Sequence, residues 1–170
     1  MSYKLKIKEK GFTFIELILY VAILTIILSA LVPFAWNAVE TGVKSAVQQE
    51  VNANARYISE RIKYEIRNST GINSVAATSI SLATSTPATN PTIIDLSAGN
   101  IRIKQGAGST MNLNSANTVV NSLTFTNYTS GNNKTKHIQF VMTVAASFAA
   151  ARHEYQDSVV LESSAELRSN

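Results

Sequence analysis

The amino-acid sequence predicts an α+β fold, in which one long N-terminal helix packs on a C-terminal antiparallel β-sheet. Three observations support this prediction. The run of 25 residues from Phe12 to Trp36 is almost entirely apolar. Apolar residues then recur every three or four positions as far as Ile66, which is the period of a helix. Beyond Gly71 short alternating segments are separated by Ser, Thr, Asn and Gly, which is typical of strands and turns.

The changes in pattern divide the 170 residues into four predicted segments. Residues 1–11 form a basic leader, and residues 12–36 form an apolar transmembrane helix. Residues 37–71 form the amphipathic half of the same helix, and residues 72–170 form a Ser/Thr/Asn-rich antiparallel β-domain. A chain of this length has room for one modest globular domain and one long appendage.

The positive charge lies mainly in the leader. Residues 1–11 hold four lysines and one glutamate, so they carry +3 of the net charge of +4. A short basic flank beside an apolar span stays in the cytoplasm by the positive-inside rule, which places the rest of the chain outside. At about 1.5 Å per residue, the segment 12–36 is roughly 37 Å long and spans a hydrocarbon core of about 30 Å. It is too long for the apolar region of a secretory signal, so we interpret it as a signal anchor.

The second half of the helix is predicted from one apolar stripe and from charge pairs on the opposite face. The pairs Glu40–Lys44, Arg56–Glu60 and Arg61–Glu65 are spaced i,i+4. Gly71 is predicted to end the helix as a left-handed cap residue. The stripe consists of Val39, Val43, Val47, Val51, Ala55, Ile58, Ile62 and Ile66.

The β-domain is predicted to be one antiparallel sheet covered by this stripe. Ser130-Gly131-Asn132-Asn133 is predicted to be a hairpin turn, and residues 83–92 and 106–117 are predicted to be loops. Leu123, Phe125, Ile138, Phe140, Met142 and Val144 are the expected inward positions. The predicted extended segments are 74–82, 93–96, 101–105, 119–128, 137–144 and one within 155–167.

From the composition and the residue spacing we expect no catalytic site, no metal site and no cofactor. The chain has no cysteine, which excludes disulfides, thiol catalysis and cysteine metal sites. His153, Glu154, Asp157 and His137 match no metal-ligand spacing, and we interpret them as exposed strand residues. Lys134 and Lys136 beside a turn are interpreted as a solvated hairpin tip, so no specific nucleic-acid partner is predicted.

The junction between leader and helix reads Lys10-Gly11-Phe12-Thr13-Phe14-Ile15-Glu16-Leu17. Gly11 is an unhindered residue where a protease can approach the backbone, and Phe12 opens the apolar span. Glu16 is the one charge within that span, and a carboxylate inside an apolar helix costs about 2.5–3.5 kcal/mol on insertion scales. Two interpretations remain open: an interfacial residue at the membrane edge, or a carboxylate that meets a cation only when subunits assemble.

At these residues the sequence resembles the type IV pilin superfamily, which includes the pseudopilins of type II secretion. The match is Gly11-Phe12-Thr13-x-Ile15-Glu16-Leu17, with Phe14 in place of the usual Leu. Pro33 stands 17 residues beyond the glutamate, where the family tends to carry a proline. The resemblance covers residues 10 to about 71, helix pattern included.

The resemblance implies a sequence of processing and assembly steps. A prepilin peptidase is expected to cleave between Gly11 and Phe12, and Phe12 is the expected N-methylation site. Glu16 would pair with the Phe12 amine of a neighbouring subunit, and Pro33 would kink or loosen the helix. The expected partners are other pilin or pseudopilin subunits, the peptidase, the inner-membrane assembly platform and the membrane. The expected location is a single-pass membrane protein that then enters a surface or periplasmic filament, whose core is built by segment 12–36.

Departures from the family's common patterns leave open which role this chain has within the family. The chain lacks the cysteine pair of many pilins, and Glu154, Asp157, Glu162 and Glu166 do not form the acidic calcium loop of major pseudopilins. A minor pilin or minor pseudopilin is therefore favoured over a major subunit. The alternative from another class is a single-pass membrane-anchored binding or adhesion protein outside any filament, and an extracytoplasmic enzyme is a distant third.

Overall fold

The computed structural model describes residues 11–131, 135–148 and 152–168. It contains one long α-helix, α1 (Phe14–Asn68), and eight strands. The chain divides into two compact units, one ending at Thr41 and one beginning at Gly42, and α1 contributes to both. The predicted α+β class, with a long N-terminal helix and antiparallel strands, is confirmed.

The second unit contains two antiparallel sheets, whereas the sequence predicted one. The five-stranded sheet has the order β1-β2-β3-β4-β5, and the three-stranded sheet has the order β6-β7-β8. Alternation shows which face of a strand is buried, but it does not show which strands share a sheet. The strands are β1 (Gly71–Ala76), β2 (Ser79–Ala83), β3 (Thr92–Ser97), β4 (Asn100–Gln105), β5 (Met111–Asn112), β6 (Thr118–Asn127), β7 (His137–Ala146) and β8 (Ser158–Glu166).

The first sheet contacts the second through its turns. The backbone N–H of Phe125 donates to the carbonyl of Ala77 at 2.8 Å, and that of Val120 donates to Gly99 at 2.8 Å. Gly99 has a φ of 75° in the two-residue turn between β3 and β4, and a Cβ there would lie 2.6 Å from Val119. Glycine is therefore required both by the turn and by the close approach of β6.

One hydrophobic core joins α1 to both sheets. The stripe on α1 is confirmed from Val47 to Ile66, and Val43 is partly buried at its edge. Val39 was predicted to belong to the stripe, but it is 62% exposed, because the residues that contact the sheets begin at Val43. All six predicted inward positions on β6 and β7 are buried in the same core, namely Leu123, Phe125, Ile138, Phe140, Met142 and Val144.

The end of α1 differs from the prediction. Gly71 is the first residue of β1 and does not have a positive φ. Instead, the hydroxyl of Ser69 donates to the carbonyl of Ile66 at 2.7 Å, and the N–H of Thr70 donates to Ala83 at 2.8 Å. The chain enters the sheet directly, so no left-handed residue is needed. The predicted hairpin turn at 130–133 lies partly outside the described residues.

Candidate processing and assembly site

The segment around the predicted scissile bond lies outside the helix. Residues 11–13 are exposed and have no regular structure, and α1 begins at Phe14. The side chain of Phe12 is 79% exposed. A Cβ built on Gly11 meets nothing within 4 Å. The fold itself therefore does not require glycine at this position.

Glu16 and Thr13 form a capping box at the start of α1. The N–H of Thr13 donates to Oε2 of Glu16 at 3.4 Å, and the N–H of Glu16 approaches Oγ1 of Thr13 at 3.4 Å. The carbonyl of Thr13 also accepts the N–H of Leu17 at 3.2 Å. Such reciprocal bonds satisfy donors that a helix start leaves free, and a carboxylate in the first turn complements the helix dipole. Glu16 therefore has a partner within its own chain, a role the sequence analysis missed although Thr-x-x-Glu before an apolar run signals it.

The helix surface beyond Glu16 is apolar and exposed. By length and composition it is able to cross a membrane, and none of its most apolar stretch is buried. A helix that is apolar on all sides is stable only when lipid or other protein covers it. This arrangement fits the membrane anchor of a pilin.

The polar groups of this apolar segment are mostly satisfied internally. The hydroxyl of Thr25 donates to the carbonyl of Ala22 at 2.8 Å, and that of Ser29 donates to Ile26 at 2.8 Å. An apolar environment offers no water, so polar groups there must form hydrogen bonds within the protein. Pro33 lies inside α1 and cannot donate to the carbonyl of Ser29, four residues earlier. The kink at Pro33 stays a prediction.

The second half of α1 holds the loop between β5 and β6 through polar contacts. Oδ1 of Asn54 accepts the N–H of Ser115 at 3.0 Å, and Oε1 of Glu50 accepts Nδ2 of Asn117 at 2.9 Å. Nδ2 of the buried Asn114 donates to the carbonyl of Thr118 at 2.9 Å. The loop that joins the two sheets is thus tied to the helix.

A buried carboxylate lies near the end of the helix. Glu65 is 5% exposed, and its Oε1 is 2.7 Å from the guanidinium of Arg61. Nε2 of Gln105 on β4 donates to Oε1 at 3.3 Å. Burial raises the pKa of Glu65, while Arg61 and Gln105 oppose the rise. The predicted pair Arg61–Glu65 is confirmed, whereas Glu60 contacts Lys63 at 2.5 Å and not Arg56.

The prediction that His153, Glu154 and Asp157 are exposed strand residues was wrong. His153 and Glu154 lie on a short 3-10 helix (His153–Tyr155), and Asp157 lies just before β8. His137 lies on β7 beside the ring of Tyr128, and Oε1 of Glu154 is 2.6 Å from Nε of Arg152. Lys134 lies outside the described residues. Among the residues that the structure describes, no group of three or more His, Asp or Glu side chains could hold a metal ion.

Comparison with family models matches residues 6–32 to the prokaryotic N-terminal methylation motif. Comparison with curated proteins and with solved structures gave no match. The matched segment contains the Gly11–Phe12 junction, the capping box and most of the exposed apolar helix. Such a motif is carried by pilin-type precursors that a prepilin peptidase processes and that assemble with other pilin subunits. Together with the long N-terminal helix and the antiparallel sheets, this motif supports the resemblance of the chain to the type IV pilin and pseudopilin family.

Proposed function

We propose that this protein is a filament subunit, cleaved between Gly11 and Phe12 and assembled through its N-terminal helix. The observation that carries the proposal is the junction itself. The exposed residues 11–13 precede α1 without joining it, so their backbone is accessible to a protease. The apolar surface of the adjoining helix needs a cover, which lipid supplies before assembly and neighbouring helices supply afterwards.

Cleavage creates a new α-amine on Phe12, which is the proposed site of N-methylation. In the filament the carboxylate of Glu16 faces the Phe12 amine of a neighbouring subunit. A buried charge is tolerated when it is paired and hydrogen-bonded, and a lone buried ammonium is costly. The neighbour's amine thereby takes over from Thr13 as the principal partner of Glu16.

The leader stays in the cytoplasm, and the domain from Gly42 onward is displayed outside and then on a surface or periplasmic filament. A minor subunit is the role we favour, because the dispersed acidic residues at 154–166 and the absence of cysteine depart from common major subunits. The partners of this role are other subunits, the prepilin peptidase and the inner-membrane assembly platform.

Two matched substitutions separate assembly from helix capping. Glu16→Gln removes the charge but keeps an amide that serves in a capping box, whereas Thr13→Ala removes the cap and keeps the charge. We expect Glu16→Gln to be cleaved normally yet to be depleted in the sheared-filament fraction by tenfold or more, and Thr13→Ala to enter filaments nearly as well as the wild type.

The amount of each variant in sheared filaments is compared with its amount in the membrane. Normal incorporation of Glu16→Gln together with poor incorporation of Thr13→Ala would mean that Glu16 acts as a cap and not as an ion-pair partner.

A further inference from the structure

Tyr20 lies one turn beyond Glu16 on the same face of α1. Four residues of an α-helix turn through about 400°, so the two side chains project about 40° apart. Their Cβ atoms are then roughly 5–6 Å from each other. Helical side chains lean towards the N-terminus, so the ring of Tyr20 extends towards the level of the carboxylate. No step of the processing and assembly described above uses this ring.

The ring and the carboxylate both have surface that no contact covers. The side chain of Tyr20 is 69% exposed, and its hydroxyl makes no hydrogen bond within the described part of the chain. By contrast, the hydroxyls of Thr25 and Ser29 bond carbonyls one turn earlier. Glu16 offers its Oε2 to Thr13, and among the described residues its Oε1 has no partner. An aromatic face and a free carboxylate oxygen therefore lie side by side in an otherwise apolar segment.

An apolar groove adjoins these two groups. Phe12, Leu17, Tyr20 and Val21 line it. Its volume is about 310 Å³, roughly ten times the share of liquid volume that one water molecule takes. Carboxylate, ring and groove together suit an N-terminal phenylalanine, which carries an ammonium group and a benzyl group on the same carbon atom.

The cation that meets Glu16 within the apolar layer has one available source. Glu16 is the only charged residue from Phe12 to Trp36, and the next basic side chain along the chain is Lys44. Lys44 is 28 residues beyond Glu16, about 42 Å along a helix, and Lys10 leaves with the leader. Among subunits anchored side by side in one membrane, the cation at the depth of Glu16 is therefore the new α-amine of a second copy of this chain.

We propose that Tyr20 recognises the processed N-terminus of a neighbouring subunit, an inference that rests on the proposed pairing of Glu16 with that subunit's Phe12 amine. The carboxylate of Glu16 balances the charge, the face of the Tyr20 ring contacts the methylated ammonium group, and the groove takes the neighbour's Phe12 ring. A cation within about 6 Å of the centre of an aromatic ring is attracted to its face, and this attraction grows when water is excluded. Aromatic side chains also bind methylated ammonium groups in other proteins.

Two substitutions of Tyr20 in the full chain test the contact, with the amount in sheared filaments compared with the amount in the membrane. Tyr20→Leu keeps an apolar side chain but removes the aromatic face, and it should lower incorporation about fivefold or more while cleavage and membrane level stay unchanged. Tyr20→Phe keeps the ring and should incorporate within about twofold of the wild type. The matched control is Phe34→Leu, which removes an exposed aromatic side chain about five turns beyond Glu16 on the same face and should leave incorporation within about twofold of the wild type.

The double variant Glu16→Gln with Tyr20→Leu shows whether the two side chains act on the same cation. If they do, Tyr20→Leu should cause a further loss of less than about twofold in the Glu16→Gln background.

Four results would overturn the proposal: normal incorporation of Tyr20→Leu, an equal loss from Tyr20→Leu in both backgrounds, a loss as large from Tyr20→Phe or Phe34→Leu, or a lowered cleavage or membrane level of Tyr20→Leu, which would assign the ring to membrane insertion. Normal incorporation of Glu16→Gln contradicts the proposed pairing itself. Depletion of Glu16→Gln beside normal incorporation of Tyr20→Leu contradicts only the role of Tyr20, so the two failures are distinguishable.

Discussion

Arg61→Leu should make the stability of the globular unit strongly dependent on pH. The side chain of Glu65 is 6% exposed and that of Arg61 is 34% exposed. Among the residues that the structure describes, the substitution leaves this buried carboxylate with Gln105 as its partner. Removing one member of a buried ion pair costs about 3–5 kcal/mol, but the partial exposure of Arg61 screens the pair. We therefore expect a loss of about 1–2 kcal/mol at pH 8.

The sign of the pH dependence is set by the pKa of Glu65, which burial raises above its ordinary value of 4.5. A group whose pKa is raised by folding stabilises the folded state fully when the pH is below its unfolded-state pKa. This stabilisation is lost as the pH rises through its folded-state pKa. Arg61 opposes the rise, so Arg61→Leu raises the pKa of Glu65 further. The loss of stability should thus be small near pH 4.5 and should grow towards pH 8.

The free energy of unfolding is measured by urea denaturation at pH 4.5 and pH 8, followed by circular dichroism of residues 37–170. Glu65→Gln combined with Arg61→Leu should recover most of the loss and remove the additional pH dependence. Arg56→Leu, the same change on an exposed helix position, is the matched control. An Arg61→Leu variant that loses the same stability at both pH values would refute this account of Glu65.

Three further predictions concern other parts of the chain. Residues 37–170 should be soluble and should melt cooperatively by circular dichroism, because the stripe on α1 keeps its core; a helical product without a cooperative transition would contradict this. Asn114→Asp should lower the free energy of unfolding by about 2–4 kcal/mol, because a carboxylate oxygen replaces the donor that faces the carbonyl of Thr118; urea denaturation measures the loss, and an unchanged midpoint would argue against it. Gly11→Val should block cleavage without altering the fold, since a side chain meets no atom there; immunoblots for precursor and mature chain test this, and normal processing would contradict it.

The helix and its buried face were predictable because one physical cause dominates them. Side chains from Val47 to Ile66 recur at the helical period, and the structure buries them in the core. Inward positions on β6 and β7 are predictable in the same way from alternation. The class of fold, and which side chains form its core, were therefore predictable in large part from apolar spacing alone.

The division into two sheets was not predictable from the same signal. β6 begins a second sheet because its N–H groups at Val120 and Phe125 bond the turn carbonyls of the first sheet, and no residue pattern specifies such bonds. The role predicted for Gly71 was wrong because Ser69 donates to the carbonyl of Ile66 and Thr70 already bonds Ala83 on β2, so the chain enters the sheet without a left-handed residue. The end of a helix depends on the groups that lie near it in space as well as on its neighbours in the chain.

At the candidate site, the Gly11–Phe12 junction was predicted from the sequence, but the capping box formed by Thr13 and Glu16 was not. Glu16 stood out because a charge in an apolar run is costly, and this cost left open an interfacial carboxylate or a partner in another subunit. Thr13, three residues away in the same chain, is a nearer partner of Glu16. The capping-box pattern of the sequence already predicts this contact. Lys136 was interpreted as part of a solvated tip, and the structure places it directly before β7, where it is partly buried.

The central claim is that the chain is a precursor whose N-terminal helix enters a filament after cleavage. The most direct test is mass spectrometry of the N-terminal peptide from the sheared-filament fraction of cells with a working prepilin peptidase. We expect a chain that begins at Phe12 with a methylated α-amine. A chain that begins at Met1 and stays in the membrane fraction would contradict the account.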